Sequence, residues 1–420
     1  MKQSFYLITI QLIAIVVGAV STFYVAYKLP ASLYALIGVQ AIITSILVVF
    51  SNTGLETLGL RNFLLWKNKN KITNIKIITT QSVVLRLCLS IFISILLYFY
   101  ASYISANKFN GNNLPFLLLF IVSGVFMALN DTFRLLLKAH NKFLQAVISS
   151  YFVSIFGKTF ALFIFISYGL SWYLYTLISL PIIIFFYLFF ISKSHIKLRY
   201  AYSTKLLLNS LKQSKHFAFS SYFSYLFNNI DQFLISILMP PEILGVFSLV
   251  KRVFDMLKGF IANFFDPLLQ KSVAYKGNYD AVKPHLKKVT NWRNIVFLIS
   301  IIGSIIFYFK GQELILRFGF KEYPYLSNYL FYAFTAISIL LLFKTQFYLI
   351  AAFTKSIVYL RFTIIVSIIS ILSFVFFVFV FDTQYIFSYL ILANVAILVF
   401  SNYTLKKEGG LKSIINQTHL

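Results

Sequence analysis

Long apolar runs separated by short polar segments repeat along the whole chain. Runs of about 20 apolar residues are long enough to cross the hydrocarbon core of a bilayer as an α-helix. Twelve such runs predict an all-α, polytopic membrane protein with twelve transmembrane helices. The predicted helices span residues 6–27, 33–59, 77–104, 115–137, 143–166, 171–192, 217–238, 244–268, 294–309, 325–350, 357–380 and 385–405.

The loops between these runs alternate in charge. About 25 of the 37 Lys and Arg residues lie at Lys2 and in six loops on one side, whereas the opposite loops hold about five. The six basic loops are residues 61–76, 138–142, 193–215, 271–293, 355–361 and 406–412. Because basic loops stay in the cytoplasm, we expect both termini to be cytoplasmic, which requires an even number of helices.

Composition agrees with a membrane protein and excludes some other classes. Hydrophobic residues make up 60% of the chain and charged residues 11%, against about 25% charged residues in soluble domains. The net charge of +26 is concentrated in loops, which argues against a nucleic-acid partner. The single cysteine, Cys88, permits no disulfide within the chain, and we expect it to be buried in the third helix.

The chain divides into two similar halves. We predict an N-terminal six-helix lobe over 1–192, a basic linker with an interfacial helix over 193–216, a C-terminal six-helix lobe over 217–405 and a cytoplasmic tail over 406–420. The string LPASLYALIGV at Leu29 matches MPPEILGVFSL at Met239, an offset of 210 residues. Duplicated halves are typical of transporters, whose substrate site lies between them.

Charged residues inside the predicted helices are concentrated in the eighth helix. Lys251, Asp255 and Lys258 share one helical face, and Arg252 lies beside them. Charges in the bilayer usually face a bundle interior or a watery cavity, so this face predicts a solvated central cavity. Asp231 and Lys251 each lie ten residues from the turn at Pro241, which favours an ion pair of Asp231 with Lys251 or with Arg252.

The first half carries fewer charged residues inside its predicted helices, mostly in the third to fifth. Taken together, the candidate residues of both halves fall into two classes. Candidates for a cationic, substrate-binding cavity are Lys251, Arg252, Lys258, Arg86, Lys158 and Arg134; candidates for ion pairs or coupling are Asp231, Asp255, Asp266, Glu56 and Asp131. The surplus of cations predicts an anionic cargo, and a diphosphate would accept charge-assisted hydrogen bonds from Arg and Lys.

Several catalytic and energising motifs are missing from the sequence. It has neither a GxxxxGK[ST] phosphate loop nor an HExxH motif, and none of its five His residues forms a metal-binding pair. We therefore expect neither an enzyme nor a bound metal or cofactor. Two alternatives stay open. An exporter of small organic cations would need an acidic or aromatic cavity, and a membrane-embedded polysaccharide polymerase or transferase would need a large extracytoplasmic loop.

One long segment resembles a known family. The segment LKQSKHFAFSSYFSYLFNNIDQFLISILMPPEILGVFSLVKRVFDMLKGFIANFFDPLLQ is similar to the start of the second half of Wzx-type O-antigen flippases. The similar features are Asp231 in mid-helix, the short turn, Gly245 at the start of the eighth helix and Pro267 near its end. The N-terminal strings TIQLIAIVVGAVSTFYVAYKLPASLYALIGVQAI and NTGLETLGLRN also resemble that family, which belongs to the multidrug/oligosaccharidyl-lipid/polysaccharide exporter (MOP) superfamily.

The resemblance implies two six-helix lobes around a central cationic cavity and a flippase working by alternating access. Its cargo would be undecaprenyl-diphosphate-linked oligosaccharide, moved across a bacterial inner membrane and coupled to H+ or Na+. By position, Arg61, Lys251 and Arg252 match the cationic residues that the family uses for the headgroup. The implied partners are this lipid-linked substrate, the bilayer, the polysaccharide polymerase and the chain-length machinery.

Overall fold

A computed structural model describes residues 2–55, 72–139, 142–193, 204–273, 279–353 and 356–408. In these residues the secondary structure is helical, and no strand occurs. The twelve helices include one that contains a π-helical turn and one that follows a 3-10 turn. The predicted all-α class is therefore confirmed.

Six helices occupy the first part of the chain, and the connections between them that the structure describes in full are short. They are α1 (Lys2–Lys28), α2 (Ala31–Phe50), α3 (Ile72–Lys108), α4 (Leu114–Ala139), α5 (Phe143–Phe152, the π-helical turn Val153–Gly157 and Lys158–Tyr168) and α6 (Leu170–Ser192). Only Gly169 separates α5 from α6, and its φ of 81° is a left-handed conformation that favours glycine.

Of the four longest helices in the described residues, three are among the last six. They are α7 (Thr204–Leu238), α8 (Pro241–Val273), α9 (Tyr279–Arg317), α10 (Leu326–Phe353), α11 (Ser356–Val380) and α12 (Tyr389–Lys407, after the 3-10 turn Thr383–Ser388). α1 ends at Lys28 and α2 begins at Ala31, while α7 ends at Leu238 and α8 begins at Pro241. The two helix ends, Lys28 and Leu238, are 210 residues apart, and so are the two helix starts, Ala31 and Pro241. This distance equals the offset of the sequence repeat.

Nine helices in the described residues are long and apolar enough to cross a membrane. They correspond to α2–α6 and α9–α12, and in α1 the apolar part Ile13–Lys28 is shorter. α7 and α8 are not among the nine. In α8 four charged residues fall within residues 251–258, which lowers its hydropathy although its length would span a bilayer.

Three predicted helices differ clearly in extent from the observed ones. The second was predicted over 33–59, but α2 ends at Phe50, because Gly54, with a φ of 73°, and Asn52, whose side chain accepts from the Gly54 N–H, form a turn after it. The ninth was predicted over 294–309 but runs over Tyr279–Arg317, because polar residues continue the same helix beyond the apolar core. The interfacial helix predicted before residue 217 and the seventh transmembrane helix form a single helix, α7. Residues 204–216 contain no glycine or proline that would break it.

The chain forms two compact units. The first comprises residues 1–28, Leu36–Tyr225 and Ser236–Pro241, and the second comprises Leu29–Ala35, Leu226–Ile235 and Glu242–Leu420. Each unit holds most of the residues of one predicted lobe. The second unit also contains the start of α2, and the first unit extends through the first two thirds of α7.

In the first unit, apolar side chains of α4, α5 and α6 form a buried cluster. Its members are Leu129, Phe133, Leu137, Ala146, Ile184 and Leu188. The side-chain amide of Asn130 donates a hydrogen bond of 2.7 Å to the carbonyl oxygen of Pro181, which ties α4 to α6. Cys88 was predicted to be buried but is exposed. It lies in the exposed apolar stripe of α3 that contains Leu87, Ile91 and Ile95.

In the second unit, the start of α2 packs tightly on α8. Gly245 lies so close to Ala31 that an added Cβ would be 1.9 Å from the Ala31 carbonyl oxygen. The Tyr323 hydroxyl, in the loop between α9 and α10, donates to the Leu29 carbonyl oxygen at 3.1 Å. Burial raises the pKa of Tyr323, and the neighbouring Tyr34 and Glu322 add to the effect. The hydroxyl therefore stays protonated and remains a donor.

The contact between Gly245 and Ala31 predicts a severe effect of a single methyl group. We expect Gly245→Ala to lower the stability of the detergent-solubilised protein by at least about 1–3 kcal/mol, the usual cost of overpacking a core. Thermal unfolding followed by size-exclusion chromatography measures this.

Gly259→Ala on the same helix is the matched control, because no atom lies within 4 Å of a Cβ added there. Alanine also has the higher helix propensity, so this variant should be as stable as the unchanged protein or slightly more stable. Equal stability of both variants would contradict the tight contact at Gly245.

Candidate functional site

A charged face of α8 meets a polar segment of α7 inside the second unit. Only Met239 and Pro240 separate the two helices, and Pro241 opens α8, where proline fits because the first turn needs no backbone donor. The connection makes the helices antiparallel neighbours. Asp231 and Lys251 therefore lie at equal distance from the turn, as the sequence predicted.

The centre of this site is a buried carboxylate. Asp231 and Lys251 are 2% and 3% exposed, and the Lys251 ammonium lies 2.7 Å from Asp231 Oδ2. The same oxygen accepts a hydrogen bond from the Tyr389 hydroxyl at the start of α12. Asp231 Oδ1 accepts from the backbone N–H of Gln232 at 2.8 Å. Three donors thus satisfy the carboxylate, and it links α7, α8 and α12.

A second contact lies two turns further along α8. The Lys258 ammonium donates to Asn228 Oδ1 on α7 and lies 5.5 Å from the centroid of the Phe227 ring. Both of these partners are neutral, and the Asp255 carboxylate on the same helix is close enough to attract the ammonium electrostatically. Lys344 on α10 is close enough to Lys258 to repel it electrostatically.

Arg252 points toward the start of α2. Its guanidinium carbon lies 5.8 Å from the centroid of the Tyr34 ring, a cation–π geometry. Lys251 makes a similar contact, 5.9 Å from the Phe254 ring. Aromatic faces therefore help to hold both cations within the helix bundle.

The balance of charge in this cluster is positive. We use the name α8 cluster for Asp231, Lys251, Arg252, Asp255, Lys258 and Lys344. It contains four cations and two carboxylates. Lys251 and Asp231 neutralise each other, whereas Asp255 is exposed and makes no hydrogen bond or ion pair within the described residues. The formal charge of the cluster is therefore +2.

Arg86 and Asp131 of the first unit form an ion pair. Arg86 is fully buried, and its guanidinium lies 3.6 Å from Asp131 Oδ2 and donates to the Val48 carbonyl oxygen. These contacts connect α2, α3 and α4. Since no part of Arg86 is accessible, it cannot contact a ligand in this conformation.

Arg134 and Lys158 are half-buried in the first unit. The Arg134 guanidinium donates to Ser149 Oγ at 3.1 Å, which joins α4 to α5. Lys158 follows the π-helical turn of α5, a local distortion that is frequent at functional sites. Its ammonium would be 2.9 Å from a Cβ added to Gly18 of α1, so a larger residue there would require the Lys158 side chain to shift.

Three candidates cannot be assessed from the structure. Glu56 and Arg61 lie outside the described residues, and the side chain of Asp266 does as well. Tyr34 and Tyr389 are members of the site that the sequence did not predict. An aromatic residue in an apolar run gives no signal in a single sequence, so only the packing of the helices brings these two residues to Arg252 and Asp231.

The arrangement of helices has several counterparts among solved structures. A multidrug resistance MATE family transporter of the MOP superfamily, in an inward-facing conformation, is 12% identical over 96% of this chain and 98% of that chain, with a TM-score of 0.72. The lipid II flippase MurJ, in an inward closed conformation, is 15% identical over 96% of this chain and 87% of that chain, with a TM-score of 0.76. The protein therefore has the fold of the MOP superfamily transporters.

The family follows from the sequence itself. The chain belongs to the polysaccharide biosynthesis protein family, whose model matches residues 1–272. A search of the curated proteins finds no match. A MOP superfamily transporter from Pyrococcus furiosus shares the fold at a TM-score of 0.51, with 13% identity over 96% of this chain and 98% of that chain.

The Asp231–Lys251 ion pair predicts that substitutions of its two residues have strongly coupled effects on the stability of the protein. We expect Asp231→Asn to lower stability by about 3–5 kcal/mol, because removing one partner leaves a buried charge uncompensated. Adding Lys251→Met should restore most of the loss, since the pair is then replaced by a neutral amide and an apolar side chain. A double-mutant cycle of unfolding temperatures in detergent measures this coupling.

Lys310→Gln is the control, because Lys310 is exposed and pairs only with Glu313 within the described residues. Exposed pairs contribute about 0–1 kcal/mol, so this variant should unfold like the unchanged protein. Additive losses in the Asp231/Lys251 double variant would refute the coupling.

Proposed function

We propose that the protein is a flippase that moves an undecaprenyl-diphosphate-linked oligosaccharide across the bacterial inner membrane by alternating access. The observation that carries the proposal is the positive surplus of the α8 cluster within helices of a membrane protein. A cationic intramembrane site favours an anionic ligand, because uncompensated charges in the bilayer are costly. Membership of a polysaccharide biosynthesis family supports a sugar-bearing cargo.

The cations of the α8 cluster fit a diphosphate in different ways. Arg252 would bind it with two parallel hydrogen bonds, whereas Lys258 and Lys344 would act as point charges. Lys251 would bind only by sharing its ammonium with Asp231. Asp255 would face the sugar side of the headgroup, where hydroxyl groups donate hydrogen bonds. A polyprenyl tail would remain in lipid.

The first-unit residues have secondary roles in this proposal. Arg61, Arg134 and Lys158 would contact the headgroup or sugars, and Arg86 with Asp131 would hold helices together.

Glu56 and Asp266 occupy equivalent positions of the two sequence repeats and are candidates for ion pairs or coupling. The energy would come from H+ or Na+, because the sequence has no ATP-binding phosphate loop.

The lipid II flippase MurJ supports a lipid-linked cargo by its similar fold. An O-antigen or similar surface polysaccharide unit is the finer form of the proposal, and both termini would be cytoplasmic. The polymerase and the chain-length machinery would then act on the product outside. On the predicted outer side, the longest connection is Phe318–Tyr325, which leaves no room for the catalytic domain of a polymerase or transferase.

A multidrug-type exporter is the second candidate, and the similar fold of the MATE family transporter favours it. Such a protein would bind organic cations and would need an acidic or aromatic site. The α8 cluster has the opposite sign. Expression in a drug-sensitive host decides between the two candidates, since drug resistance would support the exporter.

The flippase proposal predicts a large effect at Arg252. We expect Arg252→Gln to lower transport of a lipid-linked oligosaccharide in proteoliposomes at least tenfold, because each charge-assisted hydrogen bond contributes about 1.5–3 kcal/mol. Arg252→Lys should retain part of the rate, since the charge stays but the two parallel hydrogen bonds are lost.

Arg317→Gln is the matched control, because Arg317 is exposed and pairs with Glu313 at 2.8 Å, outside the α8 cluster. Its transport rate should equal that of the unchanged protein. Unimpaired transport by Arg252→Gln would exclude Arg252 from the substrate site.

Deletion of the gene in its host tests the cargo itself. We expect surface polysaccharide to be lost and lipid-linked repeat units to accumulate on the cytoplasmic side, measured by lipid extraction and gel analysis. The control is complementation with the unchanged gene. Normal surface polysaccharide without accumulated intermediates, in a host lacking a second flippase, would contradict the proposed cargo.

A further inference from the structure

A separate apolar groove lies between α9 and α10 in the second unit. Its volume is about 400 Å³, within the range of small-molecule sites. The walls are apolar and aromatic side chains, and the floor is formed by hydroxyl residues. The lining consists of Phe297, Ile301, Ile305, Tyr308, Phe309, Phe331, Ile339 and Leu342, above Ser304, Thr335 and Ser338.

The groove exists because small hydroxyl residues bring the two helices together. Ser338 donates to Ser300 Oγ at 2.8 Å, and Thr335 donates to Ser304 Oγ at 3.3 Å. Small residues let membrane helices approach closely, while the aromatic residues on either side leave a channel above them. The hydroxyl groups are engaged with each other and with backbone carbonyls. The floor therefore offers no free polar group to a ligand.

A cation, Arg293, lies on α9 about one helical turn before Phe297, the first residue that lines the groove. Arg293, Phe297, Ile301 and Ser304 follow one another at helical spacing on the same side of α9. The Arg293 guanidinium donates to Asn294 Oδ1 at 3.2 Å and has no ion pair within the described residues. Trp292 beside it is exposed. Trp next to Arg marks the membrane–water interface.

The dimensions and charge suit one occupant. From Phe297 to Phe309 the groove runs along about 18 Å of helix, close to the thickness of one leaflet, which is half of a core of about 30 Å. Such a length fits one acyl chain, whereas a polyprenyl chain would extend well beyond it. Arg293 lies in α9, within the segment 271–293 that the sequence predicts to be on the cytoplasmic side, and anionic lipids are enriched in that leaflet.

We propose that the α9–α10 groove binds one acyl chain of an anionic phospholipid, whose phosphate contacts Arg293. The site is distinct from the α8 cluster and does not depend on what the protein transports. The bound lipid fills the space between the two helices, where packing alone leaves a void.

Native mass spectrometry of the full-length protein tests this with phosphatidylglycerol and phosphatidylethanolamine as probes. We expect the unchanged protein to retain one phosphatidylglycerol molecule in preference to phosphatidylethanolamine. Arg293→Gln should reduce this preference about fivefold, which corresponds to about 1 kcal/mol for one cation near the surface. Lys310→Gln, at the opposite end of α9, should leave it unchanged.

A second pair of variants tests the groove without touching the cation. Ile305 and Ile302 are 51% and 56% exposed on the same helix, but only Ile305 lines the groove. Ile305→Trp should abolish retention of the lipid, whereas Ile302→Trp should have no effect. The inference is overturned if Arg293→Gln and the unchanged protein show the same preference for phosphatidylglycerol. It is also overturned if Ile305→Trp and Ile302→Trp have the same effect on lipid retention, or if undecaprenyl phosphate alone displaces the lipid.

Discussion

The buried pair of Asp231 and Lys251 is the interaction on which the second unit depends. A single charge in a low-dielectric interior is very costly, so each of these residues requires the other. Because Tyr389 also donates to the carboxylate, the pair holds α7, α8 and α12 around one point. It also lets α8 carry further charges, since its first cation is already compensated, and the α8 cluster as a whole keeps a formal charge of +2.

Most of the fold was predictable from the sequence. The presence of the helices followed from runs of apolar residues, and the starts of α2 and α8 are separated by the offset of 210 residues found in the sequence. The extents of α7 and α9 were not predictable. Hydropathy reports where a helix crosses lipid, but Tyr279–Arg317 continues as a helix into polar sequence, where backbone hydrogen bonds form as well as they do in the membrane.

Less of the site was predictable. Helical spacing and the short turn were enough to pair Asp231 with Lys251, because both distances are set by the backbone alone. The contact of Arg252 with Tyr34 and the electrostatic repulsion between Lys344 and Lys258 depend on how separate helices pack. Burial was also misjudged in places: Arg86 is wholly inaccessible and Cys88 is exposed. Helical spacing predicts which residues share a face, but the packing of neighbouring helices determines which residues that face contacts.

The uninterrupted course of α7 affects how the protein can be produced as fragments. Cutting the chain after residue 216, where the composition suggests a boundary, would divide a 35-residue helix. Each new terminus would lose the backbone hydrogen bonds of a full turn. A cut between Met239 and Pro240 would instead leave both adjoining helices whole. Co-expressed halves divided there would each retain complete secondary structure, with Asp231 on one polypeptide and Lys251 on the other.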